Sequence, residues 1–208
     1  MNKLIVLGAG GHGKVIADIA QRQNKWADIV FLDDRFAQLK SFFNLPVEGS
    51  LDSFSDFQLI DSDFIIAIGD NHTRLKWSYK IIAAKLNLIS IIDSSAVIST
   101  SAQIGAGSVV LPNAVINADA VLGIANIINT AAVVEHDCQL SDGVHLSPGS
   151  NLGGDVTLSR CCWVGLGASV KQGIRIGADT IVGVGAAVVN DLPDNIIAVG
   201  IPAKQLST

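Results

Sequence analysis

ISTSAQ IGAGSV VLPNAV INADAV LGIANI INTAAV, residues 98–133, is a row of hexads, each opening on an aliphatic residue. The register runs on: every sixth residue from Ile98 to Val188 is Ile, Leu or Val, and none is polar. Two places before the anchor the residue is usually small, as in Ala102, Ser108, Ala114, Ala132, Cys138 and Ala168, and Gly often follows it, as in Gly105, Gly123 and Gly165. A period of six cannot be the 3.6 of an α-helix. It fits a short strand and a tight corner, repeated so that each coil stacks its large aliphatic inward on the next. The expected architecture is therefore a parallel β-helix, with Gly and Asn supplying positive φ at the corners. With a coil of about 18 residues, positions 18 apart lie one above another, roughly 4.8 Å apart.

Upstream of the hexads the texture changes. Lys3 to Leu7 reads as a strand, Gly13 to Arg22 as a helix and Ile29 to Leu32 as a second strand. Phe64 to Ile68 reads as a third strand, Asn71 to Leu86 as a helix capped by Asn71, and Leu88 to Ile92 as a last strand. Two domains follow: an α/β, half-Rossmann-like unit over 1–93 and an all-β helix over 94–208. The loop Gly8-Ala9-Gly10-Gly11-His12-Gly13 matches G-x-G-x-x-G behind a strand, and Asp33 and Asp34 follow the second strand about 20 residues on. Some 90 residues hold one mononucleotide-binding half, which disfavours a nicotinamide enzyme. A diphosphate ligand on the glycine loop and helix N-terminus fits better.

Composition narrows the function. A net charge of -5 provides no basic stripe for nucleic acid. The apolar start stops at Gly8, too short for a signal-peptide core or a membrane span, so the cytoplasm is the expected compartment. Cys138, Cys161 and Cys162 have neither an even count nor a paired CxxC spacing and read as ordinary buried thiols. Within the hexads, Asn129 to Cys138 brings a charged cluster, Glu135-His136-Asp137, with His145 half a coil further. Stacking by 18 places Gly154 over His136 and Trp163 over His145. A histidine beside a carboxylate and facing a glycine backbone is a workable acyl-transfer site.

GAGGHGKVIADIA (residues 8–20), FLDD (31–34), IAIGDN (66–71), NTAAVVEHD (129–137) and VGIPAK (199–204) together resemble the PglD/NeuD family of hexapeptide-repeat sugar O-/N-acyltransferases. The resemblance implies a left-handed helix of parallel strands, a homotrimer and acetyl-CoA as co-substrate, with no metal. It implies His136 as the catalytic base and Asp137 as its carboxylate, where one branch of the family often has Glu. It implies His145 and the Gly154 N–H near the acetyl group, and backbone contacts from Leu166 and Val184 to the pantetheine arm. Gly10, Gly11, His12, Asp33, Asp34 and Gly69 match the nucleotide-sugar site. The substrate so implied is a nucleotide-linked amino sugar, acetylated on the 4-amino group of UDP-4-amino-4,6-dideoxy-N-acetylglucosamine, the diacetylbacillosamine precursor. The alternatives are a sialic acid O-acetyltransferase and a non-enzymatic scaffold or sugar-nucleotide sensor. A zinc enzyme of the γ-carbonic-anhydrase type needs three histidines among the coils, where this chain has His136 and His145.

Overall fold

A computed structural model describes residues 2–57 and 61–206. Its contacts divide the chain into two units, Met1–Ile91 and Ile92–Thr208.

The first unit is built on a six-stranded sheet. Strands β1 (Lys3–Leu7) and β2 (Asp28–Leu32) flank helix α1 (Gly11–Gln23) in sequence. Then come β3 (Ser41–Phe42), β4 (Leu45–Gly49), a 3₁₀ turn (Leu51–Phe57), β5 (Ser62–Ile66), helix α2 (Asn71–Ala83) and β6 (Asn87–Leu88). The sheet order is β3-β4-β2-β1-β5-β6, parallel except where β3 pairs with β4. β1 and β5 are buried almost end to end, which explains their unbroken aliphatic runs: a parallel strand has both faces covered. The chain goes to one side of β1 for β2 and to the other for β5, so the loops after these strands flank a topological switch point. Gly13 lets α1 start there, because a Cβ at this position would collide with the Gly8 carbonyl.

Three local expectations change. The cap of α2 is Asp70, whose carboxylate accepts the Thr73 N–H at 2.8 Å; Asn71 is the first helical residue. The segment expected as one strand over Leu88 to Ile92 is two: β6 pairs with β5, while Ile91–Ile92 joins a sheet of the β-helix. The hairpin of β3 and β4 has only short, weakly alternating stretches behind it and was not expected.

The second unit stacks short strands, nearly all of two residues, into three sheets that are parallel except where Ile197–Val199 pairs with Lys204–Gln205. Registers such as Val109 with Ile127, Ile127 with His145 and His145 with Trp163 advance by 18 residues per coil. The anchors from Val110 to Val188 are buried and form one continuous core, with the small residues two places upstream, Ala114, Ala132, Cys138 and Ala168 among them, beside them. Ile98 and Ile104, in the first coil, are half-buried. Positive φ falls three places after the anchors, at Asn113, Asp119, Ala131, Asp137, Gly143 and Asp155 for example. The glycines directly after the anchors have a different reason: a Cβ on Gly105 would lie 2.5 Å from the Gly123 carbonyl group of the next coil. The aliphatic flank one place before the anchors is covered unevenly: Val109 and Ile127 are fully buried, while Val115, Val121 and Val133 are half-buried.

Candidate active site

His136 sits at a corner of the β-helix, immediately before Asp137, which holds φ at 63°. That turn brings the Asp137 carboxylate back onto the ring: Oδ2 lies 2.7 Å from His136 Nδ1, with both side chains well exposed. The hydrogen bond to Asp137 raises the His136 pKa above 6.5, and the charges of Asp137, Glu135 and Asp155 add to the effect. Glu135 is itself held by the Asn117 amide at 2.9 Å. With Nδ1 engaged, Nε2 is the free nitrogen of the ring, and it faces Gly154 one coil on. A Cβ on Gly154 would fall 2.5 Å from His136 Cε1 and 2.6 Å from Nε2. The glycine leaves space that any side chain would fill.

His145 is half-buried in the adjacent strand column. Its ring stacks on Trp163, the planes 5° apart and the centroids at 5.4 Å, and the Trp163 indole donates to Ser147 Oγ at 2.8 Å. Asn129 Nδ2 approaches His145 Nε2 at 3.4 Å. Neither Trp163's grip on this ring nor Ser147 was foreseen, although the 18-residue stacking already put Trp163 over His145. Leu166 and Val184, one coil apart, expose much of their side chains. Cys138 lies inside the helix, its Sγ donating to the Gly153 carbonyl, and burial raises its thiol pKa.

In the first unit, Gly10 caps α1 without any side-chain hydrogen bond, and Cβ atoms added at Gly10, Gly11 or Gly69 would meet nothing. His12, in the first turn, is lowered by burial, with help from the Arg74 charge, from 6.5 to about 4, so the ring is neutral at pH 7. Its Nε2 is buried and has no hydrogen-bond partner among the described residues. Asp33 bonds to Ala9 and Arg35, and Asp34 is exposed, accepting the Leu51 N–H at 3.1 Å. Arg74 is a fully buried cation absent from the expected set. Its guanidinium donates to the carbonyls of Ile68 (3.2 Å) and Gly69 (2.9 Å) and to Asn71 Oδ1 (2.8 Å), fixing the loop after β5. An arginine inside an otherwise ordinary helix pattern carries no sequence mark of burial.

Residues 3–81 match the PglD N-terminal domain family. UDP-N-acetylbacillosamine N-acetyltransferase of Bacillus subtilis is 39% identical over 116 residues, 53% of this chain and 52% of the relative, so the match spans about half of that curated protein. The acetyltransferase domain of PglB from Neisseria gonorrhoeae, solved with acetyl coenzyme A, superposes with a TM-score of 0.94 at 39% identity, covering 98% of each chain. A mutant of perosamine N-acetyltransferase from Caulobacter crescentus, solved with CoA and GDP-perosamine, gives 0.92 at 38% identity, covering 99% of this chain and 97% of the other. Fold and site thus define a Rossmann-like unit joined to a left-handed β-helix of the hexapeptide-repeat acyltransferase class. Within that class, the chain belongs to the PglD family of sugar acyltransferases.

Proposed function

We propose that the protein is an acetyl-CoA-dependent N-acetyltransferase of a nucleotide-linked amino sugar, acting on the 4-amino group of UDP-4-amino-4,6-dideoxy-N-acetylglucosamine. The observation that carries the chemistry is the His136 ring, backed by Asp137 at Nδ1 and open at Nε2 toward the space over Gly154. The sugar amine attacks the thioester carbonyl of acetyl-CoA, and His136 Nε2 takes the proton that the amine loses. The carbonyl oxygen, negative in the tetrahedral intermediate, is met by the Gly154 N–H. When that intermediate collapses, the C–S bond breaks and CoA departs as a thiolate, acceptable for a thiol of pKa about 8.5. No enzyme-bound acyl group is needed. His145, held by Trp163, and the exposed Leu166 and Val184 receive the acetyl-CoA arm. Gly10, Gly11, His12, Asp34 and Gly69 form the nucleotide end.

The assignment draws on the relatives: one is named a UDP-N-acetylbacillosamine N-acetyltransferase, another was solved with GDP-perosamine, and a third with acetyl coenzyme A. A homotrimer working in the cytoplasm is part of the same reading; no described helix is long and apolar enough to cross a membrane. The test is a panel of UDP-, GDP- and dTDP-linked amino sugars assayed with acetyl-CoA, on wild type and His136→Ala. Removing the base should lower kcat about 10² to 10⁴-fold with a much smaller change in KM. A variant with near wild-type kcat would take the role from His136, and absence of turnover across the panel would remove the substrate class.

A further inference from the structure

A dinucleotide fold uses the acid at the end of its second strand to accept ribose hydroxyls. Asp33 has that position and cannot do that work, because its acceptor capacity is full. Oδ1 accepts the Arg35 backbone N–H at 3.0 Å and Arg35 Nε at 2.8 Å, while Oδ2 accepts the Ala9 N–H at 2.8 Å and Arg35 Nη2 at 3.0 Å. Both lone-pair sites of each oxygen are taken. The bonds hold Asp33 ionised, its pKa lowered to about 2 chiefly by the Arg35 side chain.

The other partner is under-used. Arg35 spends Nε and both N–H bonds of Nη2, the second on the Ala9 carbonyl at 2.8 Å, which leaves the N–H pair of Nη1. Its side chain is 60% exposed although the fork-to-fork grip of Asp33 fixes its plane. A guanidinium oriented in advance, with donors to spare, loses little freedom on binding an anion. Its anchor also says where that anion lies. Ala9 leads directly into Gly10 and Gly11, the uncapped start of α1, where first-turn N–H groups lack helical partners and the helix favours negative charge. His12, in the same turn, adds a buried Nε2 with no hydrogen-bond partner among the described residues. The nearest acid in sequence, Asp34, is drawn to the Leu51 N–H.

We propose that Arg35, oriented by Asp33, binds the diphosphate of the nucleotide ligand, and that Asp33 is a positioning residue that does not touch the ribose. The inference rests on the nucleotide reading above and names the group that recognises the phosphates. It replaces the direct role for Asp33 that the glycine-loop pattern suggests.

Titration calorimetry of the full chain with UDP, GDP and the nucleosides uridine and guanosine tests it. Arg35→Ala should weaken UDP or GDP about tenfold or more, the loss of a charge-assisted hydrogen bond, and flatten the salt dependence of Kd. Arg35→Lys should recover part of the affinity, since it keeps charge without the fork; it also carries the test if Arg35→Ala lowers the melting temperature. Asp33→Asn should weaken UDP or GDP while leaving uridine and guanosine almost unchanged, whereas a ribose contact would weaken nucleoside and nucleotide alike. Wild-type affinity in both Arg35 variants overturns the proposal, as does an equal loss for nucleoside and nucleotide, which would put Arg35 on the base or sugar. A wild-type protein that binds neither UDP nor GDP would instead remove the nucleotide reading itself, and this proposal with it.

Discussion

Replacing Gly154 with Ala adds one methyl group beside the base and nothing else. The Gly154 N–H is kept, and φ here is outside the positive range, so the backbone accepts Ala without strain. The new Cβ would stand 2.5 Å from His136 Cε1 and 2.6 Å from Nε2, where ordinary contact begins at 3.4 Å, so the ring must withdraw by about 1 Å. It can do so cheaply, being the exposed end of a flexible side chain, but the movement strains or breaks the 2.7 Å bond to Asp137. A displacement of that size at a reacting group costs about 10² in rate. Gly154→Ala should therefore lower kcat about 100-fold with the melting temperature moving by no more than a few degrees. Steady-state kinetics with a nucleotide amino sugar and acetyl-CoA, paired with a thermal melt, measure both. In a His136→Ala background the same change should cost almost nothing further, because the group it displaces is gone. A kcat within twofold of wild type, or an undiminished penalty in the His136→Ala background, would refute the idea that Gly154 is there to clear space for the base.

Asp137→Ala should reduce kcat less than His136→Ala does and move the acidic limb of the pH profile downward. Asp137 raises the imidazole pKa and the neutral ring is the base, so without the carboxylate the ring stays neutral to lower pH; an unmoved limb would break the link. Cys138→Ala should keep kcat within about twofold, since a buried thiol with a raised pKa is a poor nucleophile; a burst-type acyl-enzyme lost in this variant would show otherwise. Arg74→Ala should destabilise the protein by about 1–3 kcal/mol in denaturant titration, because the carbonyls of Ile68 and Gly69 lose a buried donor. The same change should raise the His12 pKa, observable by NMR titration, since the Arg74 charge helps to depress it.

The second unit was legible in the chain because its rule is local. Each coil repeats one short strand and one corner, so an aliphatic residue every sixth place suffices to define the core from Val110 to Val188, and the 18-residue step places Gly154 over His136 and Trp163 over His145. Asp137 needs no tertiary information either: its partner is its neighbour in sequence. What the chain could not show is how each polar group is shared among partners distant along it. Asp33, 24 residues from Ala9, stands in the sequence as a member of the nucleotide-sugar site, and only folding reveals its lone pairs filled by that loop and by Arg35. The same holds for Arg74, an ordinary helical arginine until the loop after β5 closes over it, and for the stack that fixes the His145 ring. The aliphatic flank at Val109 and Ile127 marks the limit on the apolar side: periodicity says which way a side chain points, while burial depends on what else packs there. Periodic order is encoded residue by residue, but hydrogen-bond occupancy and burial are sums over the whole fold, and in this protein they decide which of the candidate residues remain available to a ligand.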